Sequence, residues 1–217
     1  SGFTAAANGS TLVTISLPND DYNADNVKTW TQNTNDYTCN YSSSAIGTTG
    51  FGFHLTSDPT QSASGSFEVK YHVNGSANVN SVTAFIYNYS SNVGNTICGI
   101  VLNSSGSIIA QSDNYVIQAG DLGAWHTFTI NTPPTITDDY FFAGMAVTVG
   151  ATKYYPMGAQ NENPSRSGTY YTSAIDGSGL TEEDPSSFPY RYMIGAILAP
   201  LPPVAGTAYN NSLICAG

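Results

Sequence analysis

Apolar and polar positions alternate with a period of two along much of this chain. In Phe67-Glu68-Val69-Lys70-Tyr71-His72-Val73 the apolar set Phe67, Val69, Tyr71 and Val73 falls on one face and Glu68, Lys70 and His72 on the other. That spacing predicts an antiparallel strand with one packed and one wet side. Tyr140 to Val149 repeats the theme, with Phe141, Ala143, Met145, Val147 and Val149 sharing a core-facing side. Further strands are predicted over Leu12–Leu17, Phe51–Leu55, Val82–Tyr89, Ile97–Leu102, Ser107–Gln111, Tyr115–Gln118, Trp125–Ile130 and Tyr190–Leu198. Asn103-Ser104-Ser105-Gly106 closes a hairpin, and an extra hairpin is expected around Tyr170–Tyr171 in the long Gly158–Pro189 stretch. No window keeps a helical period, beyond one turn at Asp121-Leu122-Gly123.

About nine to eleven short strands between turn clusters predict an all-β chain, an antiparallel jelly-roll-like β-sandwich. The sandwich is expected over residues 1–199, with a Pro-rich linker over 200–207 set by Pro200, Pro202 and Pro203. Residues 208–217 then read as the start of a further strand or Ig-like module, or as a strand pairing with another chain, so the sequence is read as a fragment of a longer protein.

Composition narrows the function. Of 217 residues only 9% are charged, and 5 Lys+Arg against 15 Asp+Glu leave a net charge of −10. Duplex and anionic-membrane binding both draw on clustered Lys and Arg, so nucleic acid and an anionic membrane surface are poor partners, and with no apolar run near the ~18–20 residues a spanning helix needs, direct membrane insertion is not expected. Polarity comes instead from Ser, Thr, Asn and Tyr, while 15 Tyr and 9 Phe supply a core. An extracellular or cell-surface location fits this make-up. The three cysteines, Cys39, Cys98 and Cys215, suggest one bridge and a leftover. A Cys39–Cys98 bridge is expected, closing a loop of roughly 60 residues and stabilising the fold by about 4 kcal/mol; three buried free thiols are the other reading.

Candidate chemistry is sparse. No nucleophile elbow and no zinc spacing occurs, and nothing in the spacing brings Glu68 and Glu162 together as a glycosidase pair. A non-catalytic role is therefore expected. Asp20, Asp21, Asn23 and Asp25 offer alternating oxygen ligands, a candidate Ca²⁺ loop that lacks the helix–loop–helix glycine and glutamate. The other reading is a solvated acidic turn. Tyr154, Tyr155, Tyr170 and Tyr171, with Gln160 and Glu162 nearby, are candidates for holding a glycan, since sugar rings pack on aromatic faces and hydroxyls need polar partners. The same tyrosines also suit a sandwich core.

Two stretches carry a resemblance. One runs Val101-Leu102-Asn103-Ser104-Ser105-Gly106-Ser107-Ile108-Ile109-Ala110-Gln111-Ser112 and on through Leu122-Gly123-Ala124-Trp125-His126-Thr127-Phe128. The other joins Tyr140-Phe141-Phe142-Ala143-Gly144-Met145-Ala146 to Tyr154-Tyr155-Pro156-Met157-Gly158 and Arg191-Tyr192-Met193-Ile194. In style and strand order they resemble β-sandwich modules of large bacterial surface proteins and adhesins exported by type IX secretion. The resemblance implies a structural or adhesive module, partnered by other modules of the same protein or by identical subunits. Carbohydrate binding and a glycoside-active enzyme are the alternatives.

Overall fold

The computed structural model describes residues 9–18, 26–34, 37–43, 45–73, 75–200 and 215–216. In chain order the first strands are β1 (Gly9–Ser16), β2 (Val27–Thr34), β3 (Thr38–Asn40), β4 (Thr49–Phe51), β5 (Gly65–Val73), β6 (Ala77–Ile86), β7 (Thr96–Leu102), β8 (Ile108–Gln111) and β9 (Tyr115–Val116). They continue as β10 (Ala124–Thr129), β11 (Thr135–Ile136), β12 (Tyr140–Val147), β13 (Met157–Asn161), β14 (Tyr170–Ser173), β15 (Thr181–Glu182), β16 (Tyr190–Tyr192), β17 (Ile194–Pro200) and β18 (Cys215–Ala216).

Two antiparallel sheets pack as a sandwich. The first runs β16-β13-β6-β17-β3, with β4 on β13 and with β10 and β11 along the other edge of β6. The second runs β15-β14-β5-β12-β7-β8, with β9 on β7 and β18 on β5. β1 and β2 form a separate two-stranded sheet. The turn between β7 and β8 follows from its residues. The Asn103 side chain accepts hydrogen bonds from the backbone N–H of Ser105 and Ser107, and Gly106 takes a φ of +83° that a side chain would oppose. The helical turn expected at Asp121 is a 3₁₀ turn over Ala119–Asp121.

Between the sheets lie the alternating positions expected from sequence, with Phe67, Val69 and Tyr71 of β5 and Phe141, Ala143, Met145 and Val147 of β12 all buried. Val149 does not join them. It lies beyond the end of β12 and is 59% exposed.

The expectation of a wet outer face on β5 fails at Glu68, which is 0% exposed. The outer side of the second sheet carries its own apolar layer, Cys98, Ile100, Leu102, Phe142 and Ala146, packed by Ile108, Tyr171 and Leu180. Register places Glu68 opposite Gly144 and Gly144 opposite Ile100, and a Cβ on Gly144 would meet Glu68 Cγ and Ile100 Cγ1 at 3.0 Å each. Glycine there makes room for the carboxylate.

Cys98 belongs to this outer layer and is a buried free thiol, so it is not joined to Cys39 in the core. The cross-link expected between them is corrected: the two residues belong to different apolar layers. The backbone of β18 instead runs beside β3, with Cys215 opposite Val73 of β5. Residues 201–214, which hold most of the expected linker, lie outside the described residues.

Burial pushes the Cys98 thiol above its ordinary pKa, which lowers the reactive thiolate fraction. Peptide mapping without reductant is expected to recover Cys98 unbridged, with slow alkylation that becomes fast on denaturation. A Cys39–Cys98 cross-linked peptide would contradict this arrangement.

Candidate functional site

Two of the tyrosines expected to grip a glycan, Tyr154 and Tyr170, are drawn into the fold. Tyr154 is buried in the core, and its hydroxyl donates to the carbonyls of Thr148 and Thr96. Tyr170 is equally buried and donates to Glu162 Oε2 at 2.8 Å. Burial, reinforced by that carboxylate, holds the Tyr170 phenol far above its usual pKa. Tyr155 is half-buried, edge-on to Tyr89, with Lys153 over its ring. Tyr171 packs on Phe142 in the outer layer of the second sheet.

The polar candidates are occupied as well. Gln160 is buried, accepting from Arg191 Nε at 2.9 Å and from the Ser43 N–H at 3.1 Å while donating to the Ala45 carbonyl at 2.7 Å. Glu162 is shared between Tyr170 and Arg166 Nε, 3.1 Å away. The buried members of this set, Tyr154, Tyr170 and Gln160, are thus committed to partners within the fold.

Glu68 and Glu162 share no partner. Glu68 Oε1 accepts from Ser173 Oγ at 2.7 Å, and Ser173 in turn meets Ser66 Oγ at 2.8 Å. Its other oxygen is buried with no partner. Desolvation raises the Glu68 pKa to about 7, against the two serine hydrogen bonds that pull it down. The calcium candidates Asp20, Asp21, Asn23 and Asp25 lie outside the described residues. Among the described residues, no three His, Cys, Asp or Glu side chains converge in a way that could hold a metal.

A surface that combines rings with available polar groups occurs along β10, an edge strand of the first sheet. Phe128 points into the core, and His126 on the same side packs between Tyr115 (3.9 Å between ring centres) and Phe128 (4.6 Å). Trp125, Thr127 and Thr129 take the opposite, exposed side. A groove of about 180 Å³ runs along this edge between Ser112–Tyr115 and His126–Asn131. Asn131 Nδ2 donates to Asp113 Oδ1 at 3.1 Å across it.

Asp121 organises one end. It accepts from the Tyr115 hydroxyl and from the Gln118 N–H, both at 2.7 Å. The hydrogen bond to Asp121 raises the Tyr115 pKa, and desolvation lowers that of His126 while Asp121 opposes the shift. The Tyr115 phenol and the His126 imidazole are thus both neutral at pH 7. The groove presents rings, amides and hydroxyls, with Asp113 as its one carboxylate. A second, larger gap between Ser105–Ile108 and Asp176–Leu180 contains no aromatic ring, and its Asp176 is held by the N–H and hydroxyl of Ser178.

The sequence reading missed the β10 edge. Its signal was present: Trp125, Thr127 and Thr129 share a parity opposite Phe128, a polar but uncharged stripe. Comparison with known proteins finds no matching family model and no matching curated protein.

Folded Glu68 keeps its proton up to about pH 7, whereas an unfolded chain releases it near 4.5, so the folded state holds more protons between those values. Stability therefore falls as pH rises through that window, by about 3 kcal/mol in total, and levels off above it. Glu68→Gln is expected to remove this part of the pH dependence, gaining on the native protein in melting temperature between pH 5 and pH 8. Parallel melting curves for the two proteins across that range would contradict the assignment.

Proposed function

We propose that the chain is a non-catalytic attachment module of a larger extracellular protein, as its resemblance to bacterial surface adhesins implies. The observation that carries this is the division of labour among polar groups. Glu68, Glu162 and Glu183 are committed to buried serine and tyrosine partners, Glu162 also pairing with the exposed Arg166. Asp58, Asp176 and Asp184 cap local turns, whose hydrogen bonds hold their pKa values low. The side chains left to meet a partner along β10 are uncharged, which favours contact with little charged desolvation over acid–base chemistry.

Beads coated with the full chain are expected to adhere under flow to surfaces bearing cell-wall extract, releasing no cleavage product. Adhesion should be lost when Thr127→Lys places a charge on β10. Absent adhesion, or steady accumulation of a cleaved product, would overturn the reading.

One further observation favours self-association as a second reading. The β1–β2 hairpin leaves Leu12, Ile15, Leu17 and Val27 between 52% and 66% exposed. A two-stranded sheet is marginal alone and gains by being covered. An identical subunit is the expected cover, so sedimentation should show concentration-dependent dimers or larger species that Leu17→Lys abolishes. A monomer at all concentrations, or oligomers indifferent to Leu17→Lys, would remove this reading.

A further inference from the structure

We propose that the β10 edge binds a neutral, extended polysaccharide, laid across the outer face of the first sheet and reaching into the groove beside Tyr115. This rests on the reading of the chain as an attachment module and names its ligand class.

Strand register builds the surface. Thr127 lies opposite Thr83, Thr129 opposite Ser81, and Trp125 opposite Phe85. Val82, Ala84 and Phe128 are buried in the core, so the intervening Ser81, Thr83, Thr127 and Thr129 share the outer face. Cross-strand neighbours stand about 4.8 Å apart and successive same-face residues about 6.8 Å apart, which makes a regular two-by-two array of hydroxyls.

None of these four hydroxyls hydrogen-bonds to another group among the described residues. Elsewhere the same residue types are taken up by turns, as Thr60 is by Asp58, Ser105 by Asn103 and Ser186 by Asp184. Gly195 extends the Thr127–Thr83 row, and a Cβ there would sit 2.8 Å from Thr83 Oγ1. Gly195 is itself buried, so glycine there makes room for the Thr83 side chain.

Trp125 supplies the stacking surface. The residue is 37% exposed and its ring is braced edge-on against Phe85, 5.9 Å away at 79°. A fixed indole beside unpaired hydroxyls suits a ligand that is itself apolar on its ring faces and hydroxylated at its rim. Charge selects among such ligands. The array carries no charged residue, Asp113 is the one carboxylate lining the groove beside it, and the chain's net charge is −10. A polyanion would be repelled and a polycation would find no paired carboxylates, while a neutral chain meets matched hydroxyls. A groove of about 180 Å³ is below the usual range for enclosed small-molecule sites, so the ligand lies across the surface with one ring dipping in.

Affinity electrophoresis of the full chain through gels containing mixed-linkage β-glucan, galactomannan or alginate tests this. At least one neutral polymer should retard the protein and alginate should not. Trp125→Ala and Thr127→Lys should each weaken retardation at least tenfold with melting temperatures unchanged, whereas Tyr155→Ala should leave it intact. Retardation by alginate alone, by no polymer, or equally in all variants would overturn the proposal. Beads that still adhere to cell-wall surfaces through Thr127 while neither neutral polymer binds would reject the ligand class and keep the attachment reading. Loss of both would reject both.

Discussion

A core built from tyrosine must find an acceptor for every hydroxyl it buries, and that requirement shapes the rest of this molecule. Tyr71, Tyr154, Tyr170 and Tyr192 are each about 1% exposed. An unpaired buried hydroxyl costs on the order of 1–3 kcal/mol, a large fraction of a domain's net stability. Tyr71 meets the requirement by donating across the sandwich to the Ile194 carbonyl at 2.5 Å, tying one sheet to the other. Tyr154 uses backbone carbonyls, and Tyr170 and Tyr192 recruit Glu162 and Glu183. Around them Phe51, Phe67, Phe188 and Tyr190 pack at ring separations of 5.3–5.5 Å, tilted or edge-on.

The functional consequence is one of subtraction. With few charged residues in the chain, each carboxylate drawn inward is missing from the surface. Glu162 braces Tyr170, Glu183 braces Tyr192, and Glu68 sits dry beneath the outer layer of the second sheet. What remains facing solvent on β10 is hydroxyl and indole, with the amides of Asn114 and Asn131 in the groove beside it. The proposed attachment surface is thus the complement of the core's polar demands, with Asp121 and Tyr115 fixing one end of it.

Much of the fold was legible in period-two alternation. It located the inward residues of β5 and β12 and the Asn103–Gly106 hairpin, because packing against one core leaves a parity signal. Alternation does not distinguish water from a second protein layer, so Glu68 read as wet. The apolar residues on both faces of β7 and β12, such as Ile100, Leu102 and Phe142, were the available sign of that layer. Tyr154 and Tyr170 were ambiguous for a related reason: the ring suits an interior and a sugar face equally, and only tertiary register assigns these two to the former. Cys39 and Cys98 were inseparable in sequence, since both occupy strands and only the sheet face each takes sets them apart.

Hydrogen–deuterium exchange of the full chain, with and without a saturating soluble β-glucan, tests the central claim most directly. The account predicts new protection confined to residues 81–85, 112–116 and 124–131, with 154–173 unchanged because its rings and carboxylates are already engaged. Protection concentrated over 154–173 would contradict it, since those side chains would then be available to a ligand after all.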